Sequence, residues 1–450
     1  MYLPEVFPIP WRALGALERA GLHALPWQRQ LHALRRPGRQ PQLRLLALGD
    51  IALTPAARVE TARAFSGIAS LLDSVDLRTA NLEAQLTTST ERASVIGSAI
   101  RAEPVMIEAL RAARFDVLTV ANNHALDFGN AALAESVAHL VDGGIQVCGI
   151  ATTPTIVQTR GKRIAFLGFC DDHFNGQNVQ ESPRPALATL AAVEAAVRRV
   201  GSAADLVVVH LHWGYEFALH PLLAQRDFAR RVIDSGASLV LCHHAHVPLG
   251  FEFHGNGAIA YGLGNGLMAL SPYLRQGHAW TDRSVALEFG LDQNGVCAIT
   301  AHPVRLQRNG AVSLMEEMSD SRALRAGLFR MNERLDQTDV LKRWQTVRSV
   351  VETLRIPGSI EGAAAISRRA VRERLGAFAL PRQARLVEFF SEIEPLREIA
   401  GALVELQSVS PEAARWEEFP VSLLNEAFQR AKPFLTAKYR WTDALRARLP

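Results

Sequence analysis

The stretch Leu241–Gly250, LCHHAHVPLG, puts three histidines into four positions at the end of the apolar, β-prone run ASLVL (237–241). An imidazole there is awkward to bury neutral and costly to bury charged. A second run of the same kind, VVVHLHWGYEF (207–217), also ends in histidines. Seven of the chain's 14 histidines fall between His210 and His254. That concentration points to a shared task, and metal binding is the commonest one for imidazole.

Both runs belong to a regular alternation that starts at Leu43. The sequence predicts strands in LRLLALGD, VDLRTANLE, DVLTVANN, DLVVVHLH and SLVLCHH. Helices fall between them in EPVMIEALRAAR, NAALAESVAHLVDGG, the region 187–203 and LLAQRDFARRVIDSG. Hairpins are expected in TIVQTRGKRIAFLGFC, in GFEFHGNGAIAYGLGN and in SVALEFGLDQNGVCAITAHPVRL, where Asn-Gly marks the last turn. Strands alternating with helices make an α/β protein. Residues 1–42 read as one or two short helices and a basic linker, RRPGRQPQ. From 318 to 450 the strand signal stops. Leu341, Trp344, Val347, Val351 and Leu354 share one helical face, which predicts an all-α C-terminal domain. The domain between, 43–310, holds all the chemistry-bearing stretches.

Bulk properties narrow the function. A chain of 450 residues, 48% hydrophobic and 21% charged, can form two or three domains without disulfides. Cys148, Cys170, Cys242 and Cys297 form no C-x-x-C pair, which suits a reduced, cytoplasmic setting. A net charge of +4 and the lack of an arginine-aromatic stripe argue against a nucleic-acid partner. No signal peptide or membrane-spanning run is visible, so the expected localisation is cytoplasmic, with any membrane association made through partners. Serine-hydrolase elbows and P-loops are absent.

Five stretches each follow a predicted strand: Gly49-Asp50; Asn81 and Glu83; Asn122, Asn123, His124 and Asp127; His210, His212 and Glu216; and His243, His244 and His246. In open α/β sheets such positions meet at the carboxyl ends of the strands. The resulting carboxylate, amide and imidazole set lacks thiolate and suits Mn, Fe or Zn. Within HLH, His210 sits inside the apolar run and reads as a core histidine, while His212 at the exit reads as a ligand. His244 and His246, at i and i+2, can converge on a metal; His243 would then point away. Asn122 is also a candidate helix N-cap. CDDHF (170–174) ends a predicted strand and reads either as a cleft-facing turn or as a surface turn. GLGNG (262–266) reads as a turn near the site.

In order and spacing, GDI, NLE, VANNHALDFG, HWGYEF, CHHAHV and IAYGLGN resemble the CapA family, bacterial poly-gamma-glutamate or capsule synthesis proteins, over roughly residues 43–305. The resemblance implies a four-layer α/β/β/α sandwich like that of calcineurin-type metallophosphoesterases, with two divalent metal ions at its strand ends. It makes Asp50 and His246 ligands of one ion, Glu83 the shared carboxylate, and Asn123, His212 and His244 ligands of the other. His124 would be the catalytic acid, oriented by Asp127, and Asn81, Glu216 and Asn265 would contact substrate. Cys242, Ala245 and Gly262 stand where the family usually has Gly, Pro and Ser. The implied function is a phosphoesterase-type hydrolase acting on a phosphorylated, polyglutamate or polysaccharide-related substrate, among capsule-synthesis proteins. Two alternatives stay open: a non-catalytic, metal-stabilised assembly factor, and a metal-dependent hydrolase of gamma-glutamyl amides.

Overall fold

Strand β2 (Leu43–Ala52) is buried along its whole length except at Arg44, because it runs through the middle of a sheet and is covered on both faces. The computed structural model describes residues 33–53, 63–93, 99–171, 182–214, 221, 223–268, 282–307 and 310–315, with 328, 332 and 335. Predictions for the N-terminal helices, for Glu216, for CDDHF beyond Asp171 and for nearly all of the helical region 318–450 lie outside these residues.

Among the described residues, nine strands form the first sheet. β2 pairs in parallel with β3 (Leu77–Leu82), which is followed by β6 (Val117–Thr119) and β7 (Gln146–Cys148). On the other side, β2 meets β15 (Arg283–Asp292), which forms a hairpin with β16 (Gly295–Leu306). Gly295 takes a φ of +110° at the start of β16, the left-handed conformation that the Asn-Gly signal anticipates. β1 (Ala33–Arg35) and β17 (Val312–Leu314) extend β16. The stretch read as a linker, RRPGRQPQ, therefore begins with the last residue of a short strand, Arg35. Its Arg36 donates to the Val296, Gly255 and Gly257 carbonyls, and its Arg39 pairs with Asp292. β14 (Asn265–Met268) pairs in parallel with the last residues of β2, placing Asn265 beside Asp50. A two-strand ladder joins β4 (Gln85–Leu86) to β5 (Arg101–Ala102).

The second sheet has the order β12 (Phe251–His254), β13 (Gly257–Ala260), β11 (Leu239–His243), β10 (Leu206–His212), β9 (Lys162–Cys170), β8 (Thr155–Thr159). Its four inner strands are parallel, and the edges β8 and β12 are antiparallel. All seven residues of β10 are buried, as expected of a parallel strand covered on both faces. Helices α1 (Ala69–Asp73), α2 (Ile107–Ala112) and α3 (Gly129–Asp142) lie in the crossovers of the first sheet. α4 (Leu190–Val200) and α5 (Leu223–Asp234) lie in those of the second. The Thr189 hydroxyl caps α4 by accepting the Ala192 N–H.

A buried core runs from Leu46, Leu48 and Ile51 of β2 through Leu82, Leu110, Leu118 and Leu140 to Leu267 and Val304. Each such side chain contributes about 1.5–3 kcal/mol when fully buried. The two sheets meet through side chains of β3 and β10: the Thr79 hydroxyl lies 3.0 Å from His210 Nε2, and the Asn81 amide nitrogen 3.1 Å from His212 Nδ1. Two residues of spacing on one strand match two on the other, so the inner faces stay in step. This mixed α/β arrangement brings the ends of β2, β3, β10 and β11 to one place.

Candidate metal centre

The first element of the site is a close approach of backbone. Asp50 N–H donates to the Gly264 carbonyl at 2.9 Å, and a Cβ on Gly49 would fall 1.8 Å from that same oxygen. Only glycine at 49 allows β14 to lie against β2 there, and this seats Asn265 next to Asp50. The GLGNG stretch lies near the site, as its sequence suggested, but Asn265 and Gly266 open strand β14 rather than complete a turn.

Asp50 is fully buried and closely held. Its Oδ1 accepts from the Asn81 amide at 2.9 Å and lies 3.2 Å from His243 Nδ1; its Oδ2 accepts the His244 N–H at 3.0 Å and lies 3.5 Å from His246 Nδ1. Burial acts to raise the carboxyl's pKa. The His243 contact and the neighbouring imidazoles His212 and His246 outweigh it and hold Asp50 far below the usual carboxylate range.

Glu83 follows the end of β3 and is also fully buried. Its Oε1 lies 3.5 Å from His212 Nε2 and 3.7 Å from His246 Nε2. The same His212 nitrogen is 2.9 Å from Asn123 Oδ1 and 3.1 Å from His244 Nδ1. Two donor sets result, Asp50–Glu83–His246 and Glu83–His212–His244, and within each set the donor atoms lie within 4.8 Å of one another. Burial, then the neighbouring His244, depresses the His212 pKa well below 6.5, so its ring is neutral near pH 7 and keeps a lone pair. Two buried carboxylates facing neutral imidazole and amide oxygen suit a divalent cation: the donors are of the right type, and the cation offsets the buried charge.

His244 and His246 converge for a reason other than alternation along a strand. β11 ends at His243, and the next residues form a turn in which His244 and His246 have φ of +85° and +55°. Non-glycine residues rarely adopt this conformation, and where they do it tends to be held at functional sites. His243 belongs to neither donor set, but it does not point away as expected: its Nδ1 lies 3.2 Å from Asp50 Oδ1 while its ring lies against His210, with centroids 5.3 Å apart.

His124 lies beside the donor sets in sequence, next to Asn123. Its Nδ1 is 2.6 Å from Asp127 Oδ2, which also accepts the Ile100 N–H at 2.7 Å. Asn122 is no helix cap, because α3 starts only at Gly129. Its Oδ1 accepts the His124 N–H, and its amide donates to Asn81 Oδ1 and the Leu82 carbonyl. Asn81 and Asn265, expected to meet substrate, are fully buried. Asn81 bonds to Asp50 and His212, while Asn265 Oδ1 lies 2.9 Å from His246 Nδ1. The Asp171 N–H is taken by the His212 carbonyl. Gln85, not anticipated, accepts the Phe128 N–H and donates to the Gly129 carbonyl, tying the His124 loop to β4. The signal for it was present: Thr79, Asn81, Glu83 and Gln85 alternate along one stretch.

The family model for bacterial capsule synthesis protein PGA_cap matches residues 39–269, just over half of the chain. The chain belongs to this family. Every donor named above lies within the matched PGA_cap region. Similar curated proteins include the capsule biosynthesis protein CapA of Bacillus anthracis, 27% identical over 237 residues, covering 50% of this chain and 56% of that one. The PGA biosynthesis protein CapA of Bacillus subtilis (strain 168) is 28% identical over 208 residues, covering 44% and 53%. The chain spans about half the length of these curated PGA_cap relatives. Among solved structures, a hypothetical protein from Thermus thermophilus aligns with a TM-score of 0.39 at 16% identity, covering 58% of this chain and 98% of that one. A 5'-nucleotidase precursor from the same organism aligns with a TM-score of 0.38 at 15% identity, covering 65% and 59%. Among the described residues, no helix is long and apolar enough to cross a membrane.

Proposed function

We propose that the chain is a metal-dependent hydrolase of the phosphoesterase type that serves capsule or poly-gamma-glutamate biosynthesis. The observation that carries this reading is the pair of buried donor sets sharing Glu83. Asp50, Glu83 and His246 would hold one divalent cation; Glu83, Asn123, His212 and His244 would hold another. The donor set suits Mn, Fe or Zn. When bound, such a pair supplies an activated water and stabilises the leaving oxygen of an ester.

The chain's own residues do the rest. Asn81 and Asn265 position Asp50, His212 and His246 rather than touch substrate. Asp127 accepts the hydrogen bond of His124 Nδ1–H and leaves Nε2 to exchange a proton with the leaving oxygen. Facing sheets joined by Thr79 and His210, with helices in the crossovers of each, support the four-layer α/β/β/α sandwich. The domain organisation in this reading is 1–42, a metallophosphoesterase-like domain over 43–310, and the helical region 318–450.

The test is metal analysis of the purified full chain, paired with assays on phosphate monoesters and diesters and on gamma-glutamyl amides, each with added Mn²⁺. Ester hydrolysis that tracks metal content supports the proposal. Cleavage of the amide alone moves the reaction to the gamma-glutamyl bond. Bound metal with neither activity points to an assembly factor.

A further inference from the structure

Behind Asp50 a line of buried polar groups runs into the space between the sheets. Asp50 Oδ1 lies 3.2 Å from His243 Nδ1, His243 Nε2 lies 3.0 Å from His210 Nδ1, and His210 Nε2 lies 3.0 Å from Thr79 Oγ1. Thr79, His210 and His243 are all at most 2% exposed. The His210 and His243 rings are tilted by only 14° to each other, and Phe166 stacks against His210 at 6.4 Å. None of these three side chains belongs to either donor set.

Two buried imidazoles cost desolvation wherever they sit, and apolar residues would fill a space between sheets at no such cost. The line accounts for their presence by where it ends. An ionised carboxylate can only accept, so a proton on His243 Nδ1 would face Asp50 across this 3.2 Å approach. His243 Nε2 is then fixed by His210, and His210 by the Thr79 hydroxyl. His210 is held at both nitrogens and His243 at Nε2, with its Nδ1 turned to Asp50, and Thr79 anchors the line to β3, the strand that leads to Glu83.

We infer that Thr79, His210 and His243 are positioning residues that orient and hold the Asp50 carboxylate for a divalent cation. The inference rests on the metal-binding reading above and adds three residues to it. Outer partners that orient a metal ligand are typically worth about 10–100-fold in metal affinity. The line joins both sheets, so it also relates the Asp50 end of the site to Glu83 through β3.

Calorimetric titration of the metal-free full chain with Mn²⁺ tests it, alongside thermal unfolding in chelator to follow the fold without metal. The variants are His243→Leu and His243→Asn, His210→Leu, and Thr79→Val and Thr79→Ser. Asparagine at 243 can still present an N–H near the Nδ1 position, and serine at 79 keeps the hydroxyl. His243→Leu and His210→Leu should weaken Mn²⁺ binding about 10–100-fold, and Thr79→Val about tenfold. Thr79→Ser should stay within about threefold of wild type, and His243→Asn, which keeps an N–H toward Asp50 but loses the contact to His210, should bind more tightly than His243→Leu. A residue that only filled space would shift unfolding in chelator and leave Mn²⁺ affinity alone. Folded Leu and Val variants with wild-type affinity would overturn the inference. If the leucine variants do not fold, the near-isosteric Thr79 pair decides: equal affinity of Val and Ser overturns it. A wild-type chain that binds no Mn²⁺, Zn²⁺ or Fe²⁺ overturns the metal reading itself.

Discussion

His244 gives its backbone N–H to Asp50 Oδ2 at 3.0 Å while holding a φ of +85°, so one residue joins β11 to β2 through its backbone and offers its ring to a donor set. The two roles separate by substitution. Glycine accepts this backbone at no steric cost, whereas alanine keeps a penalty of about 1–2 kcal/mol. His244→Gly should therefore unfold at a higher temperature than His244→Ala in chelator, while both lose metal. Metal content equal to wild type in both variants would remove His244 from the ligand set.

The division of labour in Asn122–Asp127 gives a second prediction. His124→Ala should keep its metal and lose about 10²–10⁴ in rate on esters with poor leaving groups, with activated esters largely spared. Asp127→Asn should follow the same pattern more weakly. Asn123→Ala, by contrast, should bind metal less tightly. Because Asp127 Oδ2 also holds the Ile100 N–H, Asp127→Ala should lower stability as well. Loss of metal from His124→Ala as complete as from His244→Ala would make His124 a ligand.

Acid should destabilise the metal-free protein in a defined window. Burial, the larger cause in each case, holds the folded-state pKa of His210 and His212 well below 6.5. Below about pH 6.5 the unfolded chain therefore binds protons that the folded chain does not, and stability falls as pH drops toward the depressed values. Asp50 shifts downward too, but its contribution is present above the ordinary carboxylate pKa and is lost only in stronger acid. The unfolding midpoint in chelator should be flat from pH 8 to about 7 and decline from about 6.5 to 5. A flat profile across that whole range would mean the two rings are not buried neutral.

Where the domain that carries the candidate ligands ends is a fourth prediction. β17 (Val312–Leu314) extends the first sheet, Asn332 Oδ1 accepts the Phe251 N–H, the Leu335 carbonyl accepts from Arg226, and Leu328 and Leu335 are buried. A chain stopped near Gln307–Gly310 keeps every candidate ligand but lacks all of these. A chain that ends after Asp336 should fold and bind metal as the full chain does, and one ended at Gln307 should be markedly less stable. Equal unfolding midpoints for the two would place the boundary at 310 after all.

Much of this could be read from residue patterns, because burial leaves clear marks in β10 and β11. Their apolar runs ending in histidine located two strand ends, and the alternation of His210 with His212 placed both rings on one face. Short strands left no such mark. Ala33–Arg35 sits in a basic stretch, and Asn265–Met268 in a glycine-rich one, and each is defined by its partner strand rather than by its own composition. The convergence of His244 and His246 was anticipated for the wrong reason, since positive φ at non-glycine residues has no signature in sequence. Asn81 and Asn265 lie buried against Asp50, His212 and His246, and nothing in a sequence separates an amide that faces a cleft from one that holds a neighbouring side chain.

The contact between Gly49 and Gly264 also constrains when the site can come into being. The hydrogen bond from His244 to Asp50 spans 194 positions, and the β14 strand that seats Asn265 comes later still. Closing so long a loop has an entropic cost that only the packed sheets repay. A chain emerging during synthesis therefore has no complete candidate cation pocket until it is released past Met268, so a bound ion would not act as an early nucleus for folding. Adding Mn²⁺ during refolding should leave the folding rate unchanged and slow unfolding instead, since the ion meets its ligands only after the rate-limiting assembly.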